Sequence, residues 1–220
     1  MTNLNGLKAV SKMLLRIPIE ECEFSPAVVI HPYTNSGFFF LDDFIDLTTD
    51  EGFDKYCDKM ESVIDSAGTP LELMALLQTQ YAMTWLKYSK EFLSLDDFSE
   101  LLGIAWVGCE NANMDVNVPI SESVQWFREA NKRKLMDEDE YKVYESIPEE
   151  IMLYRGVAKG RVEKGMSWTA SKDKAEWFMH RFGGEGYLLE MKAKKEDVLA
   201  YFSRRDEDEY LVYPKNYKRR

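Results

Sequence analysis

Apolar positions recur at helical spacing through the first 148 residues and alternate thereafter. Leu7, Val10, Leu14 and Leu15 form the first helical stripe, which Pro18 ends. Two short apolar runs, 27–30 and 38–41 (Phe38 to Leu41), flank Pro32, Asn35, Ser36 and Gly37 and read as a hairpin or paired loop edges. Three caps then announce helices: Thr48 with Glu51, Thr69 with Pro70 and Glu72, and Ser94 with Asp97. In each, a hydroxyl at the N-cap and an acid three residues on satisfy amides that a helix start leaves orphaned. Behind them run Phe53, Tyr56, Cys57, Met60 and Ile64; a long stripe of Leu73, Leu76, Leu77, Tyr81, Trp85 and Phe92; and Phe98, Leu101, Leu102 and Ala105. Such stripes are what the core of a helical bundle requires. Residues 106–119 are polar and Asn-rich, a long loop that either reaches over a neighbouring site or simply connects. A helix follows from Ser121, burying Val124 and Phe127, with Lys132, Arg133 and Lys134 in its last turn against the dipole.

After Pro148 the pattern becomes strand-like. Residues 151–157 are an apolar strand interrupted by Arg155, whose planar fork suits a phosphate or carboxylate. Residues 165–171 form a second short strand, with Ser167 and Thr169 two apart and so on one face. A helix runs from Ser171 or just after it to Phe182, with Ala175 and Phe178 inward, until Gly183, Gly184 and Gly186 break it. Strands are predicted over 187–192 and 197–202, and a last one enters from Glu207 and Glu209. The boundary near Pro148 divides a mainly helical region, 1–148, from a strand-rich core, 149–220: an α+β fold.

Composition narrows the function classes. At 45% hydrophobic and 13% aromatic, the 220 residues predict a globular chain. Cys22, Cys57 and Cys109 lack paired spacing, and with only His31 and His180 beside them no zinc pattern can be assembled; buried free thiols in a reducing compartment are expected. Met13-Leu14-Leu15 is too short for a signal-peptide core and no run could span a bilayer, so a cytoplasmic protein is expected. The net charge of -11 is uneven: residues 151–220 hold 16 Lys and Arg against 11 Asp and Glu, a balance of +5, leaving 12 against 28 elsewhere. The acidic body argues against membrane and general nucleic-acid binding; the basic segment suits a phosphate-bearing ligand or docks on the acidic half.

The string Asp-Glu-Asp-Glu-Tyr occurs twice, at 137–141 and 206–210. In the first copy Asp137 and Glu140 are spaced as a helix cap and Pro148 ends the pattern, so those acids start a helix. The second runs into an alternating apolar segment, which would set Glu207 and Glu209 side by side on a strand. Composition cannot tell the copies apart; their companions do. Arg155 within Leu153-Tyr154-Arg155-Gly156, then Ser167-Trp168-Thr169, then Glu207-Asp208-Glu209 ahead of Tyr210, in that order, resemble the ADP-ribosyltransferases of the arginine, serine and glutamate type. The resemblance covers about 151–214, and phage and bacterial transferases are similar in placing a helical region first. Trp168 departs from the small residue common at the middle of the Ser-Thr motif.

That resemblance implies a mixed β-sandwich ADP-ribosyltransferase core, NAD as co-substrate, no metal, and transfer of ADP-ribose to arginine on a protein target, for a phage protein in the host cytoplasm. Breaking the nicotinamide–ribose bond builds positive charge on the ribose, which a fixed carboxylate stabilises. Glu209 takes that role. A guanidinium acceptor, with pKa above ~12, must be oriented and deprotonated, the role of Glu207. Arg155 would grip the diphosphate or adjoining ribose, with Gly156, Trp168 and Thr169 lining the NAD site. Ser167 would hydrogen-bond Glu209 or Arg155. Phe178 would pack near the nicotinamide, Arg181 near the phosphates, and in the recognition loop from Tyr201 to Arg205 an exposed Tyr201 or Phe202 would meet the target. Water or a nucleic acid as acceptor, and a non-catalytic acidic interaction protein, stay open as alternatives.

Overall fold

The computed structural model describes the chain except residues 26, 41–43, 111, 182, 205–206, 214–216 and 220, and the side chain of residue 114. Leu41, Phe182, Arg205 and Asp206 therefore lie outside the described residues. The order is α1 (Leu4–Leu15), β1 (Glu20–Glu21), β2 (Val28–His31), β3 (Thr34–Ser36), β4 (Phe38–Phe40), β5 (Phe44–Asp46), α2 (Asp50–Ser66), α3 (Pro70–Ala75), α4 (Ala82–Ser89), α5 (Leu95–Gly108), α6 (Ile120–Glu129), α7 (Lys132–Leu135) and α8 (Glu138–Ser146). There follow β6 (Glu150–Ala158), β7 (Ser167–Thr169), α9 (Lys172–His180), β8 (Gly186–Lys194), β9 (Val198–Phe202), β10 (Glu209–Val212) and β11 (Lys218–Arg219). The fold is α+β. Among the described residues, no helix is long and apolar enough to cross a membrane.

Local chemistry accounts for most helix starts. Thr69 and Asp137 each close a full capping box, with Glu72 and Glu140, and Ser94 accepts from the Asp97 amide. Before α2 the cap is Thr49 rather than Thr48, because Asp46 takes the Thr48 hydroxyl at 2.7 Å. The long stripe of residues 73–92 is not one helix: α3 stops at Ala75, and the Gln78 amide donates instead to the carbonyl of Pro32 at 2.7 Å. The expected early hairpin is also redistributed. β2 pairs with β1 and β3, whereas β4 pairs with β5 in a separate ribbon. Lys132, Arg133 and Lys134 belong to the short α7 rather than the last turn of α6.

The main sheet has the order β11-β8-β6-β7-β10-β9, with every pairing antiparallel. It consists of two three-stranded halves, β11-β8-β6 and β7-β10-β9, which among the described residues meet through the pair Tyr154 with Thr169. α9 lies on β6, where Gly156 lets the two backbones approach: a Cβ there would stand 1.9 Å from the carbonyl oxygen of Ala175. One apolar core runs from Leu7 in α1 to Val212 in β10. The ring of Phe127 on α6 bridges it, 5.1 Å from Trp106 on α5 and 6.5 Å from Phe202 on β9.

Candidate active site

Three consequences of the sheet converge at its narrow junction. Thr169 pairs with both Tyr154 of β6 and Glu209 of β10, so the seam between the halves carries the first residue of β10. Leu211 lies opposite Ser167, and directly opposed residues share a face, so Ser167 sits diagonally beside Glu209. Trp168 points the other way: it is buried, its indole nitrogen donates to the Gly165 carbonyl at 3.0 Å, and its ring lies 6.1 Å from that of Tyr217. The bulky side chain in the middle of the motif is thus packed into the core, while the residue still borders the cleft.

Arg155 rises from β6 into the segment that connects to β7. One terminal nitrogen donates to the Ser167 carbonyl at 2.8 Å, the other approaches the Val162 carbonyl at 3.5 Å, and the buried Nε has no partner. Gly165 makes room for the fork, since a Cβ there would overlap Arg155 Nη2. Burial lowers the pKa of the guanidinium and the negative charge of Glu209 works against that shift. A buried cation with an orphaned N–H beside an acid is an incomplete arrangement that an added anion or other acceptor would complete.

Glu209 is the deepest acid of the site. Burial pushes its pKa up, and hydrogen bonds from Ser167 and from the Trp106 indole, at 3.2 Å, oppose that. Glu207 adds to the upward push through its charge, and Arg155 pulls down. The two glutamates share the cleft without sharing a strand face. β10 begins only at Glu209, and Asp208 has φ +45°, a left-handed conformation disfavoured for a side-chain-bearing residue. It is held there by Lys174 of α9 at 2.6 Å and by the Tyr201 hydroxyl at 2.8 Å.

A cleft of about 440 Å³ brings together Arg155, Gly156, Ser167, Trp168, Thr169, Phe178, Arg181, Glu207 and Glu209. Tyr201 and Phe202 are not among them. Both are buried in β9, Tyr201 bonded to Asp208 and Phe202 packed toward Phe127, so neither is the exposed aromatic expected to meet a target. The loop toward β10 begins only after Phe202, and among its described residues Arg204 lines the cleft.

Several cleft residues escaped the sequence reading. Trp106, expected at the start of the 106–119 loop, lies instead on α5, which runs on to Gly108; there it continues the face of Phe98 and Leu102 and is buried. Asn113 sits in the Asn-rich segment and reaches the site; its polarity within a long loop was the one available signal. Arg161 and Lys164 add cations at the rim. Glu140, from the first Asp-Glu-Asp-Glu-Tyr copy, does more than start α8. It is buried and accepts from the Ser203 amide at 3.0 Å, with Arg204 Nε at 3.6 Å, so the first copy anchors the loop leading to the second.

No family model, curated protein or solved structure matches the chain. The reading of the site rests on its residues.

Proposed function

We propose that the protein is an NAD-dependent mono-ADP-ribosyltransferase that modifies arginine on target proteins, with residues 149–220 as an ADP-ribosyltransferase core. The observation that carries this reading is the convergence of Arg155, Ser167, Glu207 and Glu209, which lie up to 54 positions apart in the chain, around one cleft at the seam of the sheet. The fit to a dinucleotide lies in the orphaned Nε of Arg155, the cationic rim of Arg161, Lys164, Arg181 and Arg204, and the half-buried ring of Phe178.

NAD supplies the ADP-ribosyl group and, in nicotinamide, a leaving group that departs with the electron pair of the C1′–N bond. Glu209, anchored from two sides, holds a ribose hydroxyl and stabilises the positive charge that develops on the ribose. Arg155 binds the anionic part and limits how far Glu209 protonates. Glu207, outside the strand and at the cleft wall, orients the acceptor guanidinium and takes the proton lost when its nitrogen bonds to C1′. The Glu-x-Glu pair is what selects arginine in this reading.

Incubation of a cell lysate with the protein and labelled NAD is expected to mark a protein target, with release of nicotinamide. Glu209→Gln should lower nicotinamide release by about 10²–10³-fold; full labelling by this variant would sink the reading. Glu207→Gln should spare NAD hydrolysis while removing transfer to arginine. Equal loss of both reactions would show that the two glutamates do not divide the work in this way, and nicotinamide release without any transfer in the unmodified protein would assign water as the acceptor.

A further inference from the structure

We propose that Asn113 and Trp106, both from the helical part of the chain, are positioning residues that set the direction of the hydrogen bonds reaching Glu209 from Ser167 and from the Trp106 indole, and so hold that carboxyl as an acceptor. Only the consequence for turnover rests on the transferase reading; the hydrogen-bond direction does not.

The chain of donors starts at a group that cannot be reversed. The backbone amide of Met166 can only donate, and Asn113 Oδ1 receives it at 2.9 Å. That fixes which end of the Asn113 amide faces β7: its Nδ2, a donor only, points to Ser167 Oγ at 3.3 Å. The Ser167 oxygen is therefore the acceptor of that bond, and its single hydrogen is left for Glu209, which lies diagonally across the β7–β10 register. On the other side the Trp106 indole nitrogen, also a donor only, meets Oε1 at 3.2 Å. Two donors of fixed sense face the carboxyl, an arrangement that favours its ionised form against the burial that opposes it.

The remaining groups around Glu209 do not supply this order. Arg155 comes from β6 and contributes charge, and Glu207 acts from the segment before β10 in the opposite sense. β7 and α5 present the neutral Ser167 and Trp106. On β9, Phe202 lies opposite Glu209, and the titratable Tyr201 donates to Asp208. Lys174 of α9 ion-pairs with the same Asp208. Direction is thus set by Asn113 through Ser167, and by Trp106 directly.

Asn113→Asp tests this without a change of side-chain size. The aspartate still accepts from the Met166 amide, but its second oxygen can only accept, so the Ser167 hydrogen turns away from Glu209. The titration of Glu209, followed by the 13C carboxyl resonance assigned by its absence in Glu209→Gln, should move up by about one pH unit. Nicotinamide release near the acid limb of the unmodified protein should fall about tenfold, mainly in kcat, and recover as pH is raised. In a Ser167→Ala background the added effect of Asn113→Asp should shrink, since the coupling passes through that hydroxyl. Trp106→Phe keeps an aromatic ring against Phe127 and removes the second donor; it should shift the same resonance upward and serves if the aspartate variant does not fold. An unmoved midpoint in both variants overturns the proposal. Shifted midpoints in a protein that releases no nicotinamide uphold the hydrogen-bond direction and overturn the transferase reading alone.

Discussion

Replacing Gly156 by alanine isolates the contact that sets α9 on the sheet. The added Cβ would lie 1.9 Å from the Ala175 carbonyl oxygen and 2.6 Å from the Met179 amide nitrogen, where ordinary contact begins at 3.4 Å. Both obstacles are backbone, so no side chain can turn aside and the helix must retreat by about 1.5 Å. Overpacking of this kind costs about 3 kcal/mol. At roughly 2–4 °C per kcal/mol for a chain of this size, the melting temperature should drop by about 6–12 °C. Because α9 brings Phe178 and Arg181 to the cleft, on the proposed transferase reading a shift of that size should also lower kcat/KM for nicotinamide release by about 10²-fold. Gly184→Ala is the control: its Cβ would meet nothing within 4 Å and its φ is ordinary, so stability should stay within about 0.5 kcal/mol. Thermal unfolding of the two variants side by side decides the matter. If Gly156→Ala melts with Gly184→Ala, the close approach of α9 and β6 is not what holds the helix in place.

Two further outcomes follow from buried charges. Glu140→Ala strips partners from the Asp137 and Ser203 amides, and chemical denaturation should record a loss of about 2–3 kcal/mol; hydrogen exchange should quicken at Ser203, and protection unchanged there would contradict the anchor. Lys132 donates to the carbonyls of Phe127 and Leu199, and burial lowers its pKa to about 8 from 10.5. A folded-state pKa below the unfolded one means that the unfolded chain binds the extra proton between those values. Its contribution is therefore complete above about 10.5 and is lost as pH falls toward 8. The stability of the unmodified protein minus that of Lys132→Met should rise on the order of 3 kcal/mol across this interval; a flat difference would contradict the burial of that ammonium.

What the sequence disclosed was whatever is decided by neighbours in the chain. Capping boxes at Thr69 and Asp137 need four residues and appeared where expected. Strand β6 and helix α9 likewise follow from local alternation and from the Ser171 cap. What stayed hidden depends on distant groups: the helix expected across 73–92 breaks where Gln78 finds Pro32, and Asp46 diverts Thr48 from its cap. In the site, the cleft residues drawn from strand motifs were legible because order along the chain became order across the sheet. Trp106 was not, because the polar, Asn-rich run that follows makes it read as the start of a loop, and no neighbour in the chain shows that its indole nitrogen ends on a carboxylate. Nor could the left-handed turn at Asp208 be read, since Lys174 and Tyr201, which hold it, lie 34 and 7 positions away.

The bond from Trp106 to Glu209 spans 103 positions, and that distance has a kinetic meaning. Closing so long a loop is a late reward in folding, because its entropy must be met before the contact returns anything. A chain that has formed only its local helices and the β6–β8 ladder therefore holds Arg155 but not an oriented acid. On the transferase reading, activity should therefore appear only with the finished native state.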